Sequence, residues 1–139
     1  MDRLSPDQRS WTMSRVKGKD TKIEVQVRKY LFSKGFRFRK NDKRYPGKPD
    51  VVLPKYKTVI FVNGCFWHQH PNCSRSKLPV ANAEYWKNKL QKNVINDRIH
   101  REQLQQMGWT VIYLWECELK KDFIGVMDAV IKVMQGTVN

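Results

Sequence analysis

Two cysteines and two histidines lie within nine residues of one another, in the segment FVNGCFWHQHPNC at positions 61–73. Cys65, His70 and Cys73 are ligand types that zinc accepts, and a fourth such ligand would complete a closed structural site with no position left for water or substrate. Cys117, which follows an apolar stretch far along the chain, is the candidate for that fourth ligand. Three small buried cysteines and a surface histidine are the alternative, but the close local spacing favours zinc.

A second group of residues could hold a hard metal ion. Asp50 follows Pro49 where a turn enters an apolar stretch, and Mg²⁺ prefers oxygen ligands that it shares with phosphate. Residues 51–83 contain no Asp or Glu, so the next strand could add only a backbone carbonyl, that of Val62. His68 is then the candidate general base. Pro-Asp pairs also occur in many ordinary turns, so Asp50 could instead be a turn residue.

The chain is strongly basic, with 27 Lys and Arg against 13 Asp and Glu, which gives a net charge of +14 at pH 7. Such a composition favours a nucleic acid partner over an acidic protein or a membrane surface. With 139 residues, 40% of them apolar, we expect one domain over residues 1–139. The sequence has no run of about 18 apolar residues and no apolar N-terminal stretch, so we expect a cytoplasmic protein without a membrane span or secretory signal.

Hydrophobic periodicity predicts the elements that would position these residues. Thr21 and Glu24 form a capping-box pattern, which marks the start of a helix that Gly35 would end. The stretch WTVIYLW is apolar throughout and is predicted to be a central buried strand. In chain order we predict a short helix to about residue 16, a helix over 22–34, a strand over 36–40, an antiparallel hairpin turning at 54–56, a loop over 71–81, a helix over 82–107 capped by Asn82, a buried strand over 109–115 and a helix over 122–135.

This order predicts an α/β sandwich with a mixed sheet. Its long helix carries two residues whose roles the pattern leaves open. Trp86 lies at helical spacing from Leu90 and could belong to the core or to a DNA-binding surface. Asp97 lies seven residues after Leu90, where it could pair with Arg101 or lie near a bound metal.

Four segments, PGKPDVV, VIFVNGCFWHQHPNC, EYWKNKLQKNVINDR and LQQMGWTVIYLWEC, resemble the very-short-patch repair (Vsr) endonuclease family. The resemblance runs from about Thr21 to Cys117, and GCFWH together with WEC is its most specific part. It implies a restriction-endonuclease-like three-layer sandwich with a central mixed sheet and a structural zinc. It also implies a Mg²⁺-dependent enzyme that nicks one DNA strand 5′ to the thymine of a T:G mismatch.

The resemblance also implies a role for each matched position. Asp50 and the Val62 carbonyl would bind Mg²⁺, His68 would be the base or position the water, and Glu24 would support the active site. The zinc ligands would be Cys65, His70, Cys73 and Cys117. The aromatic residues that wedge into the base stack would be Phe66, Trp67 and Trp86. Asn63 departs from the family pattern, in which a second active-site histidine occupies this position; an amide can bind phosphate or water but cannot shuttle a proton near neutral pH. The loop between His70 and Cys73 is also one residue longer.

The expected partner is double-stranded DNA with a T:G mismatch, with mismatch-repair proteins as further partners. The family also implies a monomer of the bacterial cytoplasm, associated with the nucleoid, whose residues 1–20 form an arm or helix that contacts DNA. Two alternatives remain open. One is a restriction-type endonuclease of the same fold that cuts without a mismatch, and the other is a non-catalytic DNA-binding domain closed by zinc.

Overall fold

The fold is organised around a four-stranded mixed sheet. The structure is a computed structural model and describes residues 21–137. The strands are β1 (Arg39–Lys40), β2 (Val51–Leu53), β3 (Thr58–Asn63) and β4 (Thr110–Trp115). The helices are α1 (Lys22–Ser33), α2 (Ala83–Gln106), α3 (Glu116–Lys121) and α4 (Phe123–Thr137), and 3₁₀ turns lie at Pro54–Tyr56 and Ser74–Ser76. The predicted first helix and the predicted DNA-contacting arm over residues 1–20 lie outside the described residues.

The strand order across the sheet is β1-β2-β3-β4. β2 is antiparallel to both β1 and β3, and it is joined to β3 by the turn at Pro54–Tyr56, which confirms the predicted hairpin. β4 is parallel to β3 over its full length, from Thr58↔Thr110 to Asn63↔Trp115. Because parallel neighbours need a crossover connection, α2 lies between these two strands in the chain.

Alternate side chains of each strand point to opposite faces of the sheet, and each face has its own core. One core is shared with α1, α3 and α4 and contains Val27, Leu31, Phe36, Val51, Leu53, Ile60, Val62, Leu114, Leu119, Met127, Val130 and Met134. The other is shared with α2 and contains Val52, Val59, Phe61, Leu104 and Trp109. Helices therefore cover both faces, which confirms an α/β arrangement with a mixed sheet at its centre.

The prediction that β4 is a central strand is wrong. β3 has a neighbour on each side, whereas β4 lies at the edge of the described sheet. All of β3 is buried, but Leu114 is the only residue of β4 that is fully buried. The aromatic residues of β4 instead cover neighbouring rings. Tyr113 packs on Phe61 with centroids 5.4 Å apart, and Trp115 stacks on His70 at 4.2 Å.

The ends of α1 follow the sequence prediction. Thr21 Oγ1 accepts a hydrogen bond from the Glu24 N–H, and the Glu24 carboxylate accepts one from the Thr21 N–H, both at 3.3 Å. After the helix, Gly35 has a φ of +91°, a conformation that glycine adopts without steric cost. The start of α2 differs from the prediction, because Asn82 precedes the helix at a φ of +57° and its side chain makes no capping bond.

Two further elements differ from the prediction. In the predicted strand over 36–40, only Arg39–Lys40 pairs with β2, and both residues are exposed. α3 was not predicted, because the stretch ECELKK buries only Leu119 and so carries little apolar periodicity. No helix within residues 21–137 is long and apolar enough to cross a membrane.

Candidate active site and metal centre

The start of α1 and the loop after β3 border a cleft of about 1100 Å³. The cleft collects most of the residues that the sequence singles out, although they come from distant parts of the chain. Its lining includes Glu24, Asp50, Val62, Asn63, Phe66, Trp67 and His68.

Asp50 immediately precedes β2 and is largely buried, with 9% of its surface exposed. Its Oδ2 accepts a hydrogen bond of 2.6 Å from the backbone N–H of Val62. Burial, followed by the charge of Glu24, raises the pKa of the Asp50 carboxyl to about 7, while the Val62 N–H, Arg28 and His68 act in the opposite direction. A cation beside Asp50 would therefore compensate a negative charge that burial and a second carboxylate both disfavour.

The backbone N–H and C=O groups of Val62 lie on the side of β3 that faces the Asp50 carboxylate. In the described sheet, pairing of β3 with β2 ends at Val51↔Ile60, so the edge of β3 beyond Ile60 faces Asp50 instead of a strand. The N–H and C=O of one residue in an extended strand point to the same side. Because the Val62 N–H points to Asp50, the Val62 carbonyl faces that side as well. Carboxylate and carbonyl oxygens are the ligands that Mg²⁺ prefers.

Glu24 and Asn63 are buried in the wall of the cleft, with 5% and 3% of their surfaces exposed. Glu24 belongs to the capping box of α1 and lies 3.8 Å from Arg28 Nη1. Asn63 ends β3 and pairs with Trp115 in β4. Glu24 therefore combines a cap function in α1 with a position in the cleft.

His68 is held by an acidic residue of α2. Its Nδ1 lies 2.5 Å from Asp97 Oδ2, and the two side chains are 31% and 30% exposed. The Tyr113 hydroxyl donates a 3.3 Å hydrogen bond to the backbone carbonyl of Asp97, which links this part of α2 to β4. From the sequence, Asp97 could either pair with Arg101 or lie near a bound metal. The contact with His68 was not predicted. The inward position of Asp97 seven residues after Leu90 was the available signal.

The predicted zinc ligands Cys65, His70, Cys73 and Cys117 form one group, and their ligand atoms all lie within 4.8 Å of one another. His70 Nδ1 is 3.8 Å from Cys65 Sγ and 3.3 Å from Cys117 Sγ. In a tetrahedral site with Zn–S bonds of about 2.3 Å and Zn–N bonds of about 2.0–2.1 Å, the ligand atoms lie roughly 3.5–3.8 Å apart. The spacing of the four side chains therefore fits a metal ion such as zinc.

Two neighbours orient the ring of His70. The ring stacks on Trp115, and its Nε2 lies 3.7 Å from Glu118 Oε1. Nδ1 thus faces the thiols while Nε2 faces a carboxylate, an arrangement that commonly orients metal-binding histidines. Burial is the main cause that raises the pKa of the Cys65 thiol to about 12, so its thiolate needs a cation for stabilisation. The contact with Glu118 was not predicted.

Phe66, Trp67 and Trp86 form an edge-to-face cluster with ring centroids 5.3, 5.7 and 5.8 Å apart. Trp86 is buried, with 3% of its surface exposed, whereas Phe66 and Trp67 are partly exposed in the cleft. The Gln69 side chain donates to the Phe66 carbonyl at 2.6 Å, and Asn93 donates to the Trp67 carbonyl at 3.3 Å. Trp86 is therefore the buried member of the cluster, and the rings of Phe66 and Trp67 pack against it.

Basic side chains also line the cleft, although the sequence shows them only as a high overall charge. They are Lys22, Lys48, Arg75, Lys89 and Lys120. Lys89 Nζ lies 5.7 Å from the centroid of the Trp67 ring, which places a cation beside the aromatic cluster. Because these residues come from separate elements, no local run of charge reveals them.

Comparison with known proteins places this chain in an endonuclease family. The family model described as DNA mismatch endonuclease Vsr matches residues 1–75. The chain is 49% identical over 123 residues to the type II nicking enzyme V.NmeAIP of Neisseria meningitidis serogroup A, a match that covers 88% of this chain and 87% of that protein.

Two further relatives support the same assignment. Identity is 41% over 128 residues with the type II nicking enzyme V.XorIIP of Xanthomonas oryzae pv. oryzae, with 92% of each chain covered. Identity is 42% over 112 residues with the DNA mismatch endonuclease Vsr of Escherichia coli K12, with coverage of 81% of this chain and 71% of that protein. The chain therefore belongs to the DNA mismatch endonuclease Vsr family.

Proposed function

We propose that this protein is a Mg²⁺-dependent endonuclease that nicks one strand of double-stranded DNA beside a T:G mismatch. The observation that carries the proposal is a single cleft that combines a buried carboxylate, a histidine–aspartate pair and partly exposed aromatic rings. The names of the relatives, a DNA mismatch endonuclease and two type II nicking enzymes, support it. We further propose that the three layers form a restriction-endonuclease-like fold with its metal-binding carboxylate at the start of β2.

In this proposal Asp50 and the Val62 carbonyl hold the Mg²⁺ ion. When bound, Mg²⁺ would polarise the scissile phosphate and lower the pKa of a water molecule. The Val62 N–H fixes the Asp50 carboxylate through its 2.6 Å hydrogen bond, so this ligand is oriented before a cation arrives. Glu24 adds a second negative charge close to Asp50 and thereby increases the attraction for a cation.

His68 is the proposed general base. With its Nδ1 proton donated to Asp97, its Nε2 is left unprotonated and can accept a proton from the attacking water. Asp97 would also stabilise the imidazolium that this transfer creates. Since Asn63 cannot accept a proton near neutral pH, His68 alone would perform the proton transfer on this side of the cleft.

The proposed zinc ion has a structural role, because all four ligand positions are filled by protein side chains. It would join the loop after β3 to Cys117, which lies just after β4. His68 and the partly exposed Phe66 and Trp67 lie within that loop, so the metal would fix their positions relative to Asp50.

Phe66 and Trp67 are the proposed wedge into the base stack. Unstacking a duplex step costs a few kcal/mol, and the cost is lower at a mismatched base pair. A wedge would therefore favour T:G sites without hydrogen bonds to base edges. The buried ring of Trp86 supplies the rigid support that such a wedge needs.

A second candidate function has a specific observation in its favour. The relatives called type II nicking enzymes carry no mention of a mismatch in their names. The same cleft could therefore cut matched duplexes, and the comparison of matched with mismatched substrates decides between the two activities.

The first prediction tests the activity itself. Purified protein is incubated with matched and T:G-mismatched duplexes, with and without Mg²⁺, and the strands are separated under denaturing conditions. We expect one nick, in the thymine strand of the mismatched duplex, only with Mg²⁺. Asp50→Asn should abolish nicking while DNA binding is retained, and the control Asp128→Asn, an exposed residue of α4, should nick like the wild type. Equal cutting of matched duplexes would favour the second candidate, and binding without cutting would indicate a non-catalytic domain.

The second prediction concerns the partner of His68. Asp97→Asn keeps a hydrogen-bond acceptor but removes the charge that stabilises the imidazolium, so the nicking rate should fall by about 10²–10⁴-fold. Single-turnover rates measured from pH 6 to pH 9 would show an altered pH profile as well. Glu102→Gln, which removes an exposed carboxylate from the same helix, should change neither quantity. A wild-type rate in Asp97→Asn would contradict the proposed role.

The third prediction concerns the metal centre. His70→Gln should abolish stoichiometric zinc binding and lower the free energy of unfolding by at least about 3 kcal/mol, because zinc binding contributes roughly 10–16 kcal/mol in small zinc domains. His100→Gln, which removes a histidine outside the cluster, should retain the zinc. Elemental analysis and denaturant unfolding measure both quantities. Wild-type protein purified without chelators that contained no zinc would exclude the structural site.

The fourth prediction separates the wedge from its support. Trp86→Ala should cost about 3–5 kcal/mol of folding stability, as expected for a buried tryptophan. Trp67→Ala should cost much less stability but reduce nicking of T:G duplexes far more than it reduces nonspecific DNA binding. Melting temperature and nicking rate are measured on both variants. If Trp67→Ala were as unstable as Trp86→Ala, Trp67 would be a core residue and not a wedge.

A further inference from the structure

One carboxylate in the cleft wall holds two cations at the same time. Glu116 Oε1 accepts hydrogen bonds from Arg75 Nη1 at 3.0 Å and from Lys120 Nζ at 2.9 Å. The arginine and lysine side chains are 48% and 53% exposed, and all three residues line the cleft. The group carries two positive charges and one negative charge, so an anion in the cleft would meet a net charge of +1.

This group is tied to the metal centre by its place in the chain. Arg75 lies two residues after Cys73, and Glu116 immediately precedes Cys117. The ion pair therefore bridges the same two segments that the four metal ligands bring together. The positions of both cations consequently depend on the closure of the loop after β3.

The group also lies beside the start of the aromatic loop. A Cβ atom added at Gly64 would be 3.6 Å from Trp67 Cδ1 and 3.8 Å from Glu116 Oε2. The tryptophan ring and the carboxylate therefore both lie close to Gly64. An anion bound by Arg75 and Lys120 would lie close to the base step that Trp67 enters.

We propose that Arg75 and Lys120 form a clamp for one backbone phosphate of the DNA next to the wedge, and that Glu116 is the residue that positions both cations. The proposal rests on the proposed function in taking DNA as the ligand of the cleft and Trp67 as part of the wedge. A guanidinium has five N–H donors and an ammonium has three, so each cation can bind Glu116 and still donate to a phosphate oxygen. Arginine and lysine are both established phosphate ligands in proteins.

The role of Glu116 follows from the flexibility of its partners. Free arginine and lysine side chains lose considerable rotamer entropy when they bind a phosphate. A shared carboxylate removes part of that entropy before the DNA arrives. Because ion pairs this exposed contribute little to folding stability, the arrangement is better explained by ligand binding than by stabilisation of the fold.

The salt dependence of DNA affinity tests the clamp. Binding to a T:G duplex is measured without Mg²⁺ at several salt concentrations, and log Kd is plotted against log salt. Because both cations bind one phosphate, Arg75→Ala and Lys120→Ala should each reduce the magnitude of the slope by up to about 0.9, the value for one phosphate that is no longer neutralised. Arg75→Lys should restore the slope, and Lys132→Ala, on an exposed part of α4 away from the cleft, should leave it unchanged. Unchanged slopes in both alanine variants would overturn the clamp.

Glu116→Gln distinguishes a positioned clamp from a general positive field. If Arg75 and Lys120 act only through their general electrostatic attraction for DNA, removal of the negative charge of Glu116 strengthens DNA binding. Glu102→Gln, on the exposed face of α2, should also strengthen it slightly. The clamp predicts the opposite sign for Glu116→Gln: a Kd for the T:G duplex raised about 3- to 10-fold and a smaller slope, with the melting temperature unchanged. Tighter binding by Glu116→Gln with the wild-type slope would refute the positioning role.

The wild-type protein separates a failure of the clamp from a failure of the proposed function. If the wild type binds and nicks the T:G duplex while the variants keep its salt slope, only the clamp is refuted. If the wild type binds DNA with the expected slope changes in the variants but nicks nothing, the clamp stands and the proposed activity fails. Wild-type protein without DNA affinity would refute both.

Discussion

The parallel pairing of β3 with β4 is the contact on which the functional end of the molecule depends. The two strands stay in register up to Asn63↔Trp115, so both end at the same level. The segments that leave the carboxyl ends of parallel strands become neighbours, which is where α/β proteins commonly bind ligands. Here those segments begin with Gly64–Cys65 and Glu116–Cys117. The grouping of the candidate metal ligands, the ion pair of Glu116 and the position of the aromatic loop all follow from this one register.

The backbone of the loop after β3 explains how one short segment can serve several purposes. The His68 N–H donates to the Gly64 carbonyl at 3.1 Å, and the His70 N–H donates to the Cys65 carbonyl at 2.9 Å. These turns wind the chain so that Cys65 and His70 face the candidate metal cluster while Phe66, Trp67 and His68 line the cleft. Gln69 completes the last turn with a φ of +50°, and its own side chain bonds back to the loop.

Much of this molecule can be predicted from local patterns in the sequence. The capping box of α1, the β2–β3 hairpin and the four candidate metal ligands each follow from residue types at short spacing, with Cys117 as the one distant addition. Contacts set by tertiary packing could not be predicted. The pairing of Asp97 with His68 joins α2 to a loop, the edge position of β4 depends on strand order, and the bonds of Glu116 to Arg75 and Lys120 depend on the strand register.

The interleaving of candidate metal ligands with cleft residues has an evolutionary consequence. A residue inserted or deleted between Cys65 and His70 would rotate every later side chain of the loop, so His68 would leave Asp97 or His70 would leave the thiols. The length of this part of the loop is therefore fixed by geometry, whereas Phe66 and Trp67, which face the cleft without contacting Asp97 or the thiols, can change in identity. If the cleft binds DNA as proposed, a change in the DNA that it recognises would come through point substitutions at positions such as Phe66 and Trp67, or through changes in other segments of the cleft wall.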